Sequence, residues 1–419
     1  MSELIIPRHE PVRVNGTLGD WQAITIKFSG EVLPRDRAEA FKGAMFAAYP
    51  GDLVFSKIDA RNGAVGLIPG SIPKAVITPE YPVFTPKPEK LRPAFLNHLL
   101  RAAHFKADLQ RKASGTSGRK RVTPESFLSL VVPVPPLNEQ DALVTAYTEV
   151  LIRAAQMEQE ADAIERAGWQ VFEAALGVAP PPPLPDKPVF VARFKNVERW
   201  SHESILRGTT PAPDSDSGVP TVPLGQIGKV SYGIQKCPAN RPAVHSRPYL
   251  RVANVQRGAL DLDEIKYINV PDEEMPKLRL EVGDVLLCEG NSPDLVGRGA
   301  IWRGEIEDCV HQNHVLRVRV DRERLLPEFV LAVINCSHGQ AYFRSKAKRT
   351  TNLASINSKE VAGLPVPALS IAQQQDVLDA LHAQEQAAQT KRTEAAALRQ
   401  SAWATFEAAL FTTTEESAA

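Results

Sequence analysis

After Pro136 the chain carries no proline until Pro180, and apolar or small residues recur at Leu143, Tyr147, Val150, Ala154, Met157, Ala161, Ile164, Gly168, Val171 and Ala175. Gaps alternating between four and three residues form a coiled-coil seam, so the pattern predicts a long helix over 137–178 that packs along another rod. Asn138 is a candidate N-cap. At a rise of ~1.5 Å per residue this helix extends roughly 58 Å, more than one small globule needs. Ahead of it the apolar runs shorten to residues 24–28, 53–58, 64–68 and 75–77, divided by Gly and Pro, which reads as short strands of a curved sheet, with a helix over 93–109.

The same grammar returns. Gly51-Asp52-Leu53-Val54 matches Gly283-Asp284-Val285-Leu286 at an offset of 232, and Pro133-Val134-Pro135 matches Pro365-Val366-Pro367 at the same offset. Leu91-Arg92-Pro93-Ala94-Phe95 matches Leu325-Leu326-Pro327-Glu328-Phe329 at 234. Residues 163–176 share seven of fourteen identities with 397–410, Trp169/Trp403 and Phe172/Phe406 among them. Ordered matches of this kind mark an internal duplication. The second copy has strand-like runs at 249–255, 285–288, 299–302 and 315–320 and a helix over 327–344. Adding 234 to the first seam gives a more polar one through Val377, Leu381, Gln384, Ala388, Lys391, Ala395, Leu398, Ala402, Thr405 and Ala409. Two seams in one chain favour pairing within the chain over simple dimerisation. The fold class that follows is α+β: two globules of curved β-sheet plus helices, and two long helices forming an antiparallel coiled coil with pseudo-twofold symmetry. A proline run at 180–188 makes a stiff link between the copies.

With 419 residues, two or three domains are expected, and 43% hydrophobic against 23% charged residues is a globular composition. Lys+Arg and Asp+Glu both number 49, so any polyanion site must be a local patch. Cys237, Cys288, Cys309 and Cys336 form no CxxC pair, which fits a reducing, cytoplasmic setting. The first thirteen residues lack the apolar core of a signal peptide, and no run approaches a membrane span, so neither secretion nor membrane insertion is expected. No GxxxxGK[ST] phosphate cradle, GxSxG elbow or base-methylating Asn/Asp-Pro-Pro-aromatic tetrapeptide occurs. His311-Gln312-Asn313-His314 beside Cys309 has HxxH spacing without a third ligand, so no metal is expected there.

Basic residues are unevenly placed. Arg111, Lys112, Arg119, Lys120 and Arg121 surround the Gly/Ser loop 114–118 with no acid between Asp108 and Glu125. Arg344, Lys346, Lys348 and Arg349 take the corresponding place in the second copy, and a third acid-free stretch runs from Lys236 to Arg257. A solvated surface loop explains one such patch; a matched pair of loops suits phosphate contact, with Gly, Ser and Thr adding donors.

Taken together, Gly51-Asp52-Leu53-Val54-Phe55-Ser56-Lys57-Ile58 with Gly63 and Gly66, Pro135-Pro136-Leu137-Asn138-Glu139-Gln140, Tyr249-Leu250-Arg251-Val252-Ala253-Asn254, Gly283-Asp284-Val285-Leu286-Leu287, Gly297-Arg298-Gly299 and Pro365-Val366-Pro367-Ala368-Leu369 resemble the specificity subunits of type I restriction-modification systems. The resemblance covers nearly the whole chain in the family's order. It implies a first target-recognition domain over 1–136, a spacer helix over 137–178, a linker over 179–188, a second target-recognition domain over 189–367, a spacer helix over 368–412 and a disordered tail over 413–419. It also implies a non-catalytic reader of double-stranded DNA that recognises a split, asymmetric sequence. Two methyltransferase subunits would dock on the helices, and a motor and nuclease subunit can join. S-adenosylmethionine, Mg²⁺ and ATP would bind those partners, leaving this chain with no cofactor and no metal.

Two departures from the family's pattern stand out: the first globule shows no counterpart of residues 249–254, and the second helix opens with Leu369-Ser370-Ile371-Ala372-Gln373 in place of Leu137-Asn138-Glu139-Gln140. On this reading Arg119, Lys120, Arg121, Lys346, Lys348 and Arg349 are the candidates for DNA-backbone contact. Lys57, Arg61, Arg251, Asn254, Asn291 and Arg298 are the groove candidates, where Arg or Lys on guanine and Asn on adenine discriminate by ~1 to 3 kcal/mol each. Two rival classes stay open: a coiled-coil adaptor of another defence complex that binds protein, and a hydrolase using residues 311–314.

Overall fold

The computed structural model describes the chain apart from residues 14–15, 38, 40, 114–119, 178–190, 192–204, 207–218, 293–294, 350–353 and 417–419; for Asn291, Arg349 and residues 412–416 it describes the backbone alone. The expected proline linker and candidate Arg119 lie outside the described residues. The chain forms two compact units, residues 1–159 with 392–419, and residues 160–391. Each unit, here called a lobe, contains one globule and part of each long helix.

In the first lobe, strands β1 (Ile5–Arg8), β8 (Val83–Pro86), β5 (Leu53–Phe55) and β6 (Val65–Leu67) form an antiparallel sheet in the order β1-β8-β5-β6. A second sheet takes the order β3 (Val32–Pro34), β2 (Gln22–Ile26), β7 (Ala75–Ile77), β4 (Phe46–Ala48). β5 is buried on both faces, as its unbroken apolar run requires. Leu53 and Phe55 join the core with Phe84, Phe95 and Phe127, while Val54 joins Ile24, Ile26, Val32 and Ile77. Helices α1 (Pro93–Leu99), α2 (Ala103–Lys112) and α3 (Pro124–Leu128) follow the sheets, and then α4 (Leu137–Ala175). Phe406 and Leu410, from the last helix of the chain, complete the first core.

The second lobe repeats this frame. β9 (Thr221–Pro223), helix α5 (Leu224–Ile227) and β10 (Gly228–Ser231) lead into β11 (Ser246–Leu250), β12 (Lys266–Asn269), helix α6 (Met275–Leu278), β13 (Val285–Cys288), β14 (Gly290–Asn291), β15 (Gly299–Ile301), β16 (Val310–His311) and β17 (Val315–Val320). Helices α7 (Pro327–Asn335) and α8 (Ser337–Lys346), strands β18 (Lys348–Arg349) and β19 (Ala354–Ser355), helix α9 (Ser358–Ala362), strand β20 (Pro365–Pro367) and helix α10 (Ile371–Glu416) complete it, so residues 413–416, expected in the tail, continue the helix. Its main sheet has the order β10-β17-β13-β15, again antiparallel. Leu53 lies opposite Leu67 and Phe84, and Val285 lies opposite Ile301 and Val318, the same register one repeat later. The shared Gly-Asp pair has a physical basis. Gly51 and Gly283 take φ of 86° and 93°, which side chains other than hydrogen disfavour. Buried Asp52 and Asp284 accept the backbone N–H of Tyr49 and Glu281, both at 2.8 Å, and pair with Arg8 and Arg319.

Five expectations need correction. The single helix over 93–109 is two helices broken at Ala102, and that over 327–344 is broken at Cys336. Each break exposes a helix N-terminus that a remote glutamate caps: Ala103 N donates to Glu407 Oε1 and Ser337 N to Glu173 Oε1, both at 2.5 Å. The expected strand over 249–255 ends at Leu250 and becomes a 3-10 turn over Val252–Asn254. Its missing first-lobe counterpart is β2: Ala23 pairs with Val76 in parallel as Tyr249 pairs with Val310, but the shared position carries a different side chain. The seams hold in the middle, with Ala154, Ala161, Ala388 and Ala395 buried, and slip by one residue at the ends. Phe172 and Leu176 are buried in place of Val171 and Ala175, and Phe406 and Leu410 in place of Thr405 and Ala409, as a 3.6-residue helix drifts from a seven-residue repeat.

The helices run antiparallel within each lobe. In the second, Gly168 packs against Gln384 so closely that a Cβ would lie 2.7 Å from it, and Lys391 bonds Glu160 at 2.7 Å; in the first, Arg399 pairs with Glu158.

Candidate nucleic-acid interface

In the second lobe a three-stranded sheet in the order β14-β19-β18 gathers residues far apart in sequence. Asn291 and Arg349 both lie opposite Ala354, on strands flanking β19. Two strand spacings of ~4.8 Å then separate them by roughly 10 Å. Lys348 is exposed on this sheet and Lys346 ends α8 just before it. The sheet is moored at Glu289, whose carbonyl accepts the N–H of Ile356 at 2.8 Å. His314 Nδ1 lies 2.6 Å from the Glu289 carboxylate, so the Glu289 acid at the root of the basic hairpin is already engaged.

The first lobe has the same mooring. The carbonyl of Lys57 accepts the N–H of Val122 at 2.8 Å, which is the Glu289–Ile356 bond one repeat earlier. This bond brings Lys57 beside exposed Lys120 and Arg121. Arg121 pairs with Glu80 at 3.3 Å, and the Glu80 carbonyl accepts the Lys57 N–H at 3.0 Å, so the three residues share one edge. Arg61 sits in the 3-10 turn Ala60–Asn62, with its Nε buried and without a hydrogen-bond partner in the described structure.

Two groove candidates are consumed by the fold. Asn254 is 2% exposed, and its amide donates to the carbonyls of Asp261 and Glu264 while accepting from Arg251. An amide saturated in this way has no edge left for a base. Arg251 donates to the Glu264 carbonyl at 2.7 Å and pairs with the Glu264 carboxylate at 3.2 Å, with 18% of its side chain exposed. Both residues are withdrawn as readers. Arg298 stays at the surface turn after β14, one Nη atom 3.3 Å from the Val252 carbonyl. Arg257 and Arg344, visible in the sequence as members of the basic stretches but not among the candidates, gain their position from tertiary contacts.

His311 points into the core, its Nδ1–H donating to the Val315 carbonyl at 2.7 Å, while His314 is exposed. Burial pushes the thiols of Cys309 and Cys336 up to about 12 and about 11, the opposite of a nucleophile's environment. Among the described residues no three His, Cys, Asp or Glu side chains gather as a metal site, and no helix is long and apolar enough to cross a membrane.

The fold and its repeated basic edges define a class: an α+β protein of duplicated lobes, in which one backbone frame carries two different sets of edge side chains. No family model matches the chain. It is similar to type I restriction enzyme specificity subunits. It is 26% identical over 131 residues to the MjaX specificity subunit of Methanocaldococcus jannaschii, covering 31% of each chain. It is 21% identical over 279 residues to the EcoKI specificity subunit of Escherichia coli, covering 66% of this chain and 55% of the other. The chain therefore spans just over half the length of the Escherichia coli relative and under a third of the archaeal one. A solved chain from work on complex assembly and conformational transition of the type I R-M system covers 98% of this chain and 95% of its own at 15% identity and a TM-score of 0.57, and shares the fold.

Proposed function

We propose that this chain is the DNA-reading subunit of a type I restriction-modification complex. Each lobe reads one half of a split, asymmetric target, and the paired helices recruit methyltransferase subunits, two by the symmetry of the repeat. A restriction subunit can join. The chain itself is non-catalytic and works in the cytoplasm, and S-adenosylmethionine, Mg²⁺ and ATP belong to its partners. The observation that carries this reading is the duplicated mooring, Val122 on Lys57 and Ile356 on Glu289, which holds a basic loop at the same place on two frames whose other edge residues differ. A shared frame fixes two similar docking modes, and divergent edges let the two halves of the target differ.

Lys57, Arg61, Lys120 and Arg121 in the first lobe, and Asn291, Arg298, Lys346, Lys348 and Arg349 in the second, are assigned to DNA, with Arg119 retained from the sequence. Arg119, Lys120, Arg121, Lys346, Lys348 and Arg349 on the loops supply sequence-independent phosphate contact, and Lys57, Arg61, Asn291 and Arg298 are the groove candidates for base discrimination. The test is co-expression with the neighbouring methyltransferase gene and mapping of modified bases in host DNA. The expected result is a two-part motif with a fixed gap, lost when this chain is deleted. A folded complex with no motif dependent on the chain would overturn the reading in favour of a protein-binding adaptor.

A further inference from the structure

Three arginines from separate parts of the second lobe converge beside the basic hairpin. Arg257 donates from Nη2 to Gln340 Oε1 on α8 at 2.9 Å, and Arg344 stands four residues further along the same helix, on the same face. Gly258, next to Arg257, donates its N–H to the Gly299 carbonyl at 2.8 Å, which sets Arg257 beside Arg298. Gly297, on the other side of Arg298, has φ of 75° and lies so close to α8 that a Cβ would meet the Phe343 ring at 2.6 Å, which sets Arg298 beside Arg344. Three independent contacts therefore hold the three side chains together.

The cluster concentrates positive charge. Burial first, then the charges of Arg344 and Arg298, pull Arg257 below the ordinary arginine range. Neither Arg298 nor Arg344 has a carboxylate partner among the described residues, and Arg298 Nε is buried without a hydrogen bond. Guanidinium groups gathered in this way match the bidentate geometry and charge of a phosphate group. Lys348, exposed on the adjoining strand, extends the positive edge. In the first lobe the positions one repeat earlier than Arg298, Gln340 and Arg344 are Ala64, Lys106 and Gln110, so no such cluster forms there.

We propose that Arg257, Arg298 and Arg344 form a clamp for one DNA backbone phosphate, which moves Arg298 from the groove candidates to the backbone contacts and fixes the register of the second lobe on its half-site. This rests on the DNA-reading assignment above and adds to it a defined phosphate contact that the first lobe lacks. The test measures association of the chain, complexed with its methyltransferase subunits, with target and non-target duplexes over a range of salt. Log association falls linearly with log salt, with a slope of about −0.9 per neutralised phosphate. Arg344→Gln, which removes a side chain without a hydrogen bond to the core among the described residues, is expected to flatten that slope by up to about one unit and to weaken both duplexes by the same factor. Arg344→Lys is expected to keep the slope and lose affinity, since it keeps the charge and loses the fork.

A parent that selects its target, beside an Arg344→Gln variant of unchanged melting temperature and unchanged slope, would overturn the clamp and leave the DNA reading standing. A parent that enriches no duplex would overturn both. Pyrophosphate that raises the melting temperature of the parent but not of the variant, with the DNA slope unaltered, would assign the cluster to a free phosphate and overturn the DNA-phosphate proposal.

Discussion

The two lobes agree where side chains hold the backbone and differ where side chains face outward. Gln140 in the first lobe and Gln374 in the second are both buried, and each makes the same three bonds. Gln140 accepts from the N–H of Arg92 and donates to the carbonyls of Lys90 and Pro135. Gln374 accepts from Leu326 and donates to Arg324 and Leu369, each partner 234 residues on. By contrast Ala64 gives way to Arg298, and Gln110 to Arg344. A frame repeated to the hydrogen bond, with different residues on its edges, separates the cost of folding from the choice of ligand: an edge residue can change without disturbing the bonds that hold the loop.

The largest expected effect probes the most hydrophobic part of that agreement. Phe172 packs against Phe329 with ring centroids 6.2 Å apart, and Phe406 against Phe95 at the same distance. Both are almost wholly buried, so Phe172→Ala and Phe406→Ala should each cost about 4 kcal/mol, in the second and first lobe respectively. Amide exchange measured by mass spectrometry, with β13 and β5 as reporters, assigns the loss to a lobe. A cost under about 1 kcal/mol at one site, with the full cost at the other, would break the equivalence of the two cores.

That equivalence was legible in the sequence because large apolar residues and proline leave a local signature. Trp169/Trp403, Phe172/Phe406 and the Gly-Asp strands announced the duplication, and the long proline-free segments announced the helices. The breaks at Ala102 and Cys336 were not legible, because the carboxylates that cap them come from 304 and 164 residues away. The same limit governed the interface. Asn254 has the side chain of a base reader, and only the fold of the turn after β11 reveals that its amide is already spent. Arg257 and Arg344 were visible as charges, whereas their meeting depends on Gln340 and on two glycines that bring loop and helix together.

Replacing the paired glutamines tests the polar half of the frame. Gln140→Leu or Gln374→Leu keeps the volume and leaves one N–H and two carbonyls unpaired in a buried place, at a cost of about 3 kcal/mol. Equal losses of urea stability in the two variants would show that α4 and α10 enter their lobes through one device. The structure also resolves the irregular opening of the second helix: Gln374 does the work of Gln140, so Ile371-Ala372-Gln373-Gln374 is the counterpart of Leu137-Asn138-Glu139-Gln140. A cost at Gln140 without one at Gln374 would reopen that alignment.

The smallest effect is one that the lobes should not share. His311 on β16 is fully buried, and burial, more than the nearby Arg317 and Arg319, pushes its pKa down to about 4, against a Val315 hydrogen bond and Asp284 that act the other way. An unfolded histidine titrates near 6.5, so between about 4 and 6.5 the unfolded chain holds a proton that the folded chain does not. Stability contributed by neutral His311 is therefore complete above the upper value and falls as pH drops through that window, by about 2 kcal/mol between pH 7 and pH 5. The first-lobe position is Ile77, which cannot titrate, while partly buried His98 and His338, one in each lobe, both have pKa values lowered by burial and so act in the same direction in the two lobes. Amide exchange at pH 5 against pH 7 should show the second lobe loosening more than the first. His311→Ile, which installs the first lobe's residue, should remove the difference; a pH response that survives the substitution would place its origin outside the core histidine.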